Sequence, residues 1–309
     1  MEYSKISIVT PSYNQASYLE DTIDSVLSQS YPKLEYIIVD GGSTDNSVEI
    51  IEKYSRHLKF WISESDRGQS HAINKGLAYA EGEIVNWVNS DDKLLAGSLE
   101  VVNNYFQETS TNIVCGQALL RNGALTGLKS STRPGKDINE FIALGQIMQP
   151  ATFWRKDVFD KFMPLEESLH YMMDHYIWLK YINQNGINGI RYIPETLVEV
   201  LMHNDAKSIN SLHLFENDRR RIYEAFLTRG VKKEKLFKID EQQRLSFDPL
   251  TDKIDISPSR VSFLLEYDML FTRDRYGERK GVIVQRFFRL ILLYPIQFFR
   301  QVAGKLGFG

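Results

Sequence analysis

A single cysteine, Cys115, stands in this chain of 309 residues. No internal disulfide can form and no cysteine-rich zinc site can be built, a pattern that fits a reducing compartment. A large excess of either charge is lacking too, with 37 Lys and Arg against 40 Asp and Glu. The formal net charge is -3, so no global basic field points to nucleic acid. Long apolar runs are missing too: the most apolar segment, "FFRLILLYPIQFF" at 287–299, is broken by Arg289 and Pro295. It falls short of the roughly 20 apolar residues that span a bilayer. The opening "MEYSKISIVTP" has an acid at position 2 and no extended apolar stretch, so no signal peptide is expected there. The Gly-x-Gly-x-x-Gly spacing is absent, which counts against a dinucleotide-dependent dehydrogenase. Neither an internal repeat nor a low-complexity tract occurs. What remains is a chain of ordinary globular composition, long enough to bury a sizeable core.

The first hundred residues alternate between two periods. Ile6, Ile8 and Val9 form a short apolar run that stops at Pro11 and reads as a buried strand. A helix should follow, opened by the capping pattern Ser17-x-x-Glu20 and burying Leu19, Ile23, Val26 and Leu27. The cycle repeats with a strand over 36–39 ending at Asp40, the turn "GGSTDNS", and a helix marked by Val48, Ile51 and Tyr54. A third strand at 60–62, the loop "SDRGQS", a helix through Ala72, Ile73 and Leu77, and a fourth strand at 84–88 complete the series. Such alternation predicts an α/β fold, a mostly parallel sheet flanked by helices. Ligands of such sheets bind beyond the carboxyl ends of the strands, and Pro11, Asp40 and Asp91 all fall on that edge. After residue 110 the pattern loosens. Residues 113–119 read as a strand, "RNGALTGLKSSTRPGK" as a loop-rich excursion, and 171–181 as a helix. The expected division is a catalytic domain over 1–210 and a helical C-terminal extension over 211–309.

The stretch "NWVNSDDKLL" puts two adjacent acids, Asp91 and Asp92, directly after an apolar strand. One reading is a helix cap, with Asp92 opening the helix of "KLLAGSLEVV". The other takes in Asp40 and Asp66, which end or follow neighbouring strands, so that several carboxylates converge on one edge. Such a cluster calls for a hard cation or a hydroxyl-rich ligand, and oxygen donors suit Mg²⁺ or Mn²⁺ bound together with substrate phosphates.

Three stretches carry a family resemblance: "ISIVTPSYNQASYLEDTIDSVLSQSYPKLEYIIVDGGSTDNS", "DRGQSHAINKGLAYAEGEIVNWVNSDD" and "YMMDHYIWLKY". In this order, over roughly residues 4–210, they resemble the family 2 glycosyltransferases of GT-A fold. The resemblance implies a nucleotide-diphosphate sugar donor, most simply UDP-linked, with Mn²⁺ or Mg²⁺ as cofactor and a glycan or lipid-linked acceptor. It places Asp91 near the ribose and Asp92 on the metal. Asp40 would meet the nucleobase, Thr10, Pro11 and Tyr13 would wall it, and Asp66 would add a polar contact. The family's catalytic "ED" pair matches Met173-Asp174, so Asp174 becomes the general base, with a methionine where the family has its first acid. His203 in "VEVLMHNDAKSIN" falls where similar proteins place a histidine near metal and diphosphate, and Lys207 and Ser208 would then contact phosphate. Gln149, Pro150 and Trp154 match the acceptor side.

Plainer readings stand beside these. Asp40 before Gly41-Gly42 can simply start a turn, His203 can be a packing residue, and Trp154 a core aromatic. Two other functions stay open as well: a metal-dependent nucleotidyltransferase or phosphohydrolase, and a non-catalytic nucleotide-sugar binder, which Met173 favours. The segment from 279 to 309 combines Phe287, Phe288, Leu290, Ile291 and Leu293 with Arg286, Arg289, Arg300 and Lys305. It reads either as an interfacial membrane element or as a helix packed on the domain or across a homodimer. The expected location is cytoplasmic, and on the membrane reading of this segment peripheral at the inner face of the cell membrane.

Overall fold

The computed structural model describes residues 2–122, 125–133 and 135–203, with residues 214, 215, 217, 218, 221, 222, 257 and 260 beyond them. The first half follows the predicted alternation: β1 (Ile6–Ser12), α1 (Ala16–Leu27), β2 (Leu34–Asp40), α2 (Ser47–Tyr54), β3 (Phe60–Ser63), α3 (Gln69–Ala78) and β4 (Ile84–Trp87). β1 pairs in parallel with both β2 and β4, and β2 with β3. The second half supplies β5 (Asp92–Leu94), α4 (Ser98–Phe106), β6 (Ile113–Asn122), β7 (Leu125–Ser131) and α5 (Ile138–Leu144). It ends with β8 (Thr152–Arg155), α6 (Lys156–Phe159), α7 (Met173–Asn185) and β9 (Ile190–Leu201). The sheet order is β3-β2-β1-β4-β8-β6-β9-β5, with β7 paired to β6.

Alternate residues of the parallel strands enter two separate cores. Ile6, Ile8 and Ile38 pack with Leu19, Ile23 and Val26 of α1 and with Leu99 and Val102 of α4. Val9, Ile37 and Val39 face the other way, against Ala72, Ile73 and Leu77 of α3 and a cluster that includes Trp178 and Ile182 of α7. Each such aliphatic side chain, fully withdrawn from water, contributes about 1.5–3 kcal/mol before conformational entropy is counted. α3 lies so close to the sheet that a Cβ on Gly76 would come within 2.5 Å of Val9 Cγ1.

Two expectations change. Ser17 does not cap α1; the cap position is two residues earlier, at Gln15, and the helix opens at Ala16 without a side-chain cap of its own. Instead the Asp45 carboxylate, from the turn after β2, accepts the Ala16 N–H at 2.9 Å, and Ser47 Oγ accepts the Gln15 N–H at 3.1 Å. Asn14 and Thr44 tie the same two turns together through a backbone N–H to side-chain bond of 2.8 Å. The turns after β1 and β2 therefore form one stitched rim. The expected excursion after residue 120 is in fact strand β7, antiparallel to β6.

The mixed half of the sheet determines what stands beside the acid pair. After Asp91 the chain turns into β5, which runs antiparallel to β9 with Asp92 opposite Val200. The end of β9, and with it His203, is thereby carried to the carboxyl edge of β4. The C-terminal segment from 279 to 309 lies outside the described residues, as does nearly all of the expected extension. No helix among the described residues is long and apolar enough to cross a membrane.

Candidate active site

A cavity of about 940 Å³ opens beyond the strand ends. Its lining includes Pro11, Ser12, Tyr13, Asp66, Asp91 and Asp92 on one side and Gln149, Tyr171, Met173, Asp174 and Phe215 on the other. The volume lies near the top of the range for small-molecule sites.

Asp92 opens β5 and is buried, while α4 starts at Ser98 behind the left-handed Gly97. The helix-cap reading of Asp92 therefore fails. Its carboxylate accepts a 3.0 Å hydrogen bond from Asn89 Nδ2, and Asn89 Oδ1 accepts one of 2.7 Å from Gln69. Burial, reinforced by the charge of Asp91, pushes the Asp92 carboxyl well above the usual carboxylate range. Asp91 itself faces His203, with Nε2 3.0 Å from Oδ2. The His203 ring lies tilted against Tyr18, with ring centres 4.5 Å apart at 34°, and its buried Nδ1 has no hydrogen-bond partner. The structure thus joins His203 to Asp91 rather than directly to Asp92.

Asp66 Oδ1 accepts the Gly68 N–H at 2.7 Å where Gly68, at φ 113°, leads into α3. Its other oxygen packs against Gly41, where a Cβ would sit 2.8 Å away. Asp40 lies beneath the cavity and outside its lining. Fully buried, it accepts the Gly42 and Ser43 N–H groups at 3.1 and 2.8 Å, the Ser43 hydroxyl at 2.5 Å and the Ser63 hydroxyl at 2.7 Å. In this structure it holds the turn that walls the cavity. Thr10 is likewise buried below the floor, its hydroxyl 3.0 Å from Tyr36 Oη.

Asp174 occupies the first turn of α7, where the Oδ1 carboxylate oxygen accepts the His175 N–H at 2.7 Å. Desolvation among apolar neighbours outweighs that bond and pushes its carboxyl up to about 6. Met173 beside it is buried and also lines the cavity. Gln149 reaches the lining too, its amide donating to Trp87 O at 2.8 Å and Asn86 Oδ1 at 3.1 Å. Trp154 does not. It is buried in the core, edge-on to Phe159, Trp178 and Tyr181, so its acceptor-contact reading gives way to packing. Lys207 and Ser208 lie outside the described residues.

Sequence reasoning missed Ser12 and Gln15. Both line the cavity, and Ser12 Oγ and Gln15 Oε1 are buried without hydrogen-bond partners. The signal was their place at the end of β1 and just beyond it, on the ligand edge. It missed Tyr171 and Phe215 as well. Among the described residues no group of three His, Cys, Asp or Glu is arranged to hold a metal ion by itself.

A half-parallel sheet with an acidic cleft at its carboxyl edge is the layout of a GT-A-type nucleotide-sugar transferase. Residues 7–179 match the family model for glycosyl transferase family 2, and the chain belongs to that family. An uncharacterized glycosyltransferase of Rickettsia typhi is 27% identical over 238 residues, covering 74% of this chain and 73% of that protein. The putative teichuronic acid biosynthesis glycosyltransferase TuaG of Bacillus subtilis is 34% identical over 140 residues, 44% of this chain and 52% of its own length. In fold the chain resembles S. aureus TarS 1–349 in complex with UDP-GlcNAc, with a TM-score of 0.61, 17% identity, and coverage of 94% and 81%. It also resembles the mannosyltransferase PcManGT of Pyrobaculum calidifontis in complex with GDP-Man and Mn²⁺ (TM-score 0.53, 15% identity, coverage of 98% and 85%). The protein is a glycosyltransferase that moves a sugar from a nucleotide-sugar donor to an acceptor.

Proposed function

We propose that the enzyme is an inverting, divalent-metal-dependent transferase that uses a uridine diphosphate sugar and glycosylates a hydroxyl of a glycan or lipid-linked acceptor. One observation carries this reading. Asp174, a carboxylate whose pKa is pushed up to about 6, opens onto the same cavity as Asp91 and the buried Asp92. An acid tuned toward neutral pH suits proton abstraction from an acceptor hydroxyl.

The donor side fits a metal. Asp92 is buried beside a second negative charge, a position that a cation relieves, and hard oxygen donors are what Mg²⁺ and Mn²⁺ prefer. Two protein carboxylates completed by diphosphate oxygens are a usual set for such ions. Asp92 would hold the ion, with Asp91 and His203 at its side. When bound, the ion supplies Lewis-acid neutralisation of the diphosphate charge. The turns tied by Asp40, Asn14 and Asp45 give the base its walls at Pro11 and Tyr13, and Asp66 adds a polar edge.

In the transfer itself the acceptor oxygen bonds the anomeric carbon as its O–H bond breaks, and the proton passes to the Asp174 carboxylate. The bond from the anomeric carbon to the phosphate oxygen breaks, and its electron pair leaves with the nucleoside diphosphate. Attack from the face opposite the leaving group inverts the anomeric centre. A nucleotidyltransferase would need a basic phosphate cradle, and no Lys or Arg lines the cavity among the described residues. The TarS complex with UDP-GlcNAc supports a uridine donor, and the likeness to TuaG supports a cell-envelope glycan as product. The test is release of UDP from a panel of UDP-sugars, with Mn²⁺ and with EDTA. Release that is metal-dependent and produces the inverted anomer is expected; equal release in EDTA would remove the metal from the reading.

A further inference from the structure

The two sides of the cavity differ in chemistry, and the side around Asp174 is apolar and aromatic. Met148, Met173, Tyr171 and Phe215 all line it. The Tyr171 and Phe215 rings stand 5.1 Å apart at 59°. Phe215 comes from beyond β9, and its neighbours fix it there. At helical spacing from it, Asp218 accepts the Tyr171 N–H at 2.8 Å. Arg221 donates to the Ser168 carbonyl and hydroxyl at 2.5 and 2.8 Å and pairs with Asp218 at 3.3 Å. Ile222 is fully buried. These contacts bind the segment carrying Phe215 to the loop that leads into the Asp174 helix.

The charge of the cavity is as informative as its rings. Its charge-bearing lining consists of the carboxylates Asp66, Asp91, Asp92 and Asp174, with His170, and contains no Lys or Arg among the described residues. Among the described residues Arg67 is paired with Glu167 at 2.8 Å and Lys93 with Asp21 at 2.5 Å. A carboxylate or phosphate on the acceptor would enter this half against those carboxylates, beside an acid that must itself ionise. A pyranose ring meets neither obstacle, since its C–H face packs on aromatic rings. Gln146 and Ser130, already hydrogen-bonded to each other at 2.9 Å, add neutral polar groups to the lining for its hydroxyls.

We propose that Tyr171 and Phe215 form an acceptor subsite for an uncharged pyranose unit. The proposal rests on the transferase reading above, with Asp174 at the acceptor hydroxyl. Its test uses the full chain and saturation-transfer NMR with four probes: the methyl pyranosides of glucose, galactose and N-acetylglucosamine, and methyl glucuronide as the anionic control. UDP with Mn²⁺ is titrated separately, so that a failed donor site shows itself in that titration and not in the saccharide signal. At least one neutral glycoside should give saturation transfer and the glucuronide none. Phe215→Ala should weaken the neutral glycoside about tenfold, the scale of one aromatic contact, while Phe215→Tyr retains it and UDP binding is the same in all three proteins. Binding of the glucuronide as well as the neutral sugars, an unchanged affinity in Phe215→Ala, or silence from every neutral probe would overturn the subsite.

Discussion

His203 Nε2 lies 3.0 Å from Asp91 Oδ2, although 112 positions separate the two residues in the chain. The antiparallel pairing of β5 with β9 produces this contact, because it draws the end of β9 back along the strand that follows the acid pair. In the proposed metal site a histidine so placed would either reach the ion or orient a carboxylate that does. Changes at either level typically cost 10–100-fold in metal affinity. His203→Ala should therefore lower Mn²⁺-dependent UDP affinity about 10–100-fold and leave UDP binding in EDTA nearly unchanged. Calorimetry under both conditions decides it, and an unaltered metal-dependent affinity would take His203 out of the site.

The burial of Asp92 makes a prediction of opposite sign for the metal-free protein. A carboxyl whose folded-state pKa is raised favours folding when protonated, at low pH, and loses that contribution as pH rises through the folded pKa. At neutral pH the ionised Asp92 then destabilises the protein. Asp92→Asn should raise the melting temperature in EDTA and abolish the further rise that Mn²⁺ gives the wild type. Melting curves that move in the same direction with and without Mn²⁺ would contradict the assignment.

Trp154 tests the correction on the acceptor side. Its edge-on contacts with Phe159, Trp178 and Tyr181 are core contacts. Truncation to Ala should cost about 3–5 kcal/mol of stability. The milder Trp154→Phe should fold, melt earlier and keep its acceptor KM. A raised acceptor KM without loss of stability would return Trp154 to the pocket.

Much of this was legible in the sequence wherever structure is set by local pattern. β1 to β4 and α1 to α3 bury alternating or helically spaced apolar residues, and the strand-end rule then located the cleft before any contact was known. What failed was set at a distance. The cap of α1 comes from Asp45, 29 residues from the N–H it accepts, so the local Ser17-x-x-Glu20 pattern misled. The glycine- and serine-rich stretch of β7 looks like a loop, yet its pairing with β6 holds it as a strand. For Asp40 the resemblance implies a nucleobase contact, and in this ligand-free structure its carboxylate is hydrogen-bonded to its own loop and Ser63. Phe215 belongs to no motif, and only tertiary packing brings it to the cavity.

Two glycines separate binding from folding. At Gly41 a Cβ would meet the Asp66 carboxylate, a side-chain end that can swing away. Gly41→Ala should lower UDP affinity with little change in stability. At Gly76 the obstacle is Val9 in the core, and overpacking there costs about 1–3 kcal/mol. Gly76→Ala should lower the melting temperature instead. Equilibrium UDP binding and thermal melts on both variants measure the contrast, and a reversed pattern would break the placement of Asp66.

As the proposed base, Asp174 would join activity and stability in one residue. Its carboxyl is raised from the ordinary value to about 6 by desolvation, so the ionised form needed for proton abstraction is the form that strains the fold. The acceptor kcat/KM should fall about tenfold per pH unit below 6, as expected for an essential base in the free enzyme. Asp174→Asn keeps the size and removes proton acceptance, which should cost about 10²–10⁴ in kcat while UDP affinity stays the same. The same variant should be more stable than wild type at neutral pH, by up to about 3 kcal/mol for a shift of this size. That gain should shrink as pH falls and vanish below the ordinary aspartate pKa, where the wild-type carboxyl is protonated in both states. Wild-type turnover in Asp174→Asn would remove the base assignment. Loss of turnover without the pH-dependent gain in stability would leave the residue catalytic but deny the desolvation that was to tune it.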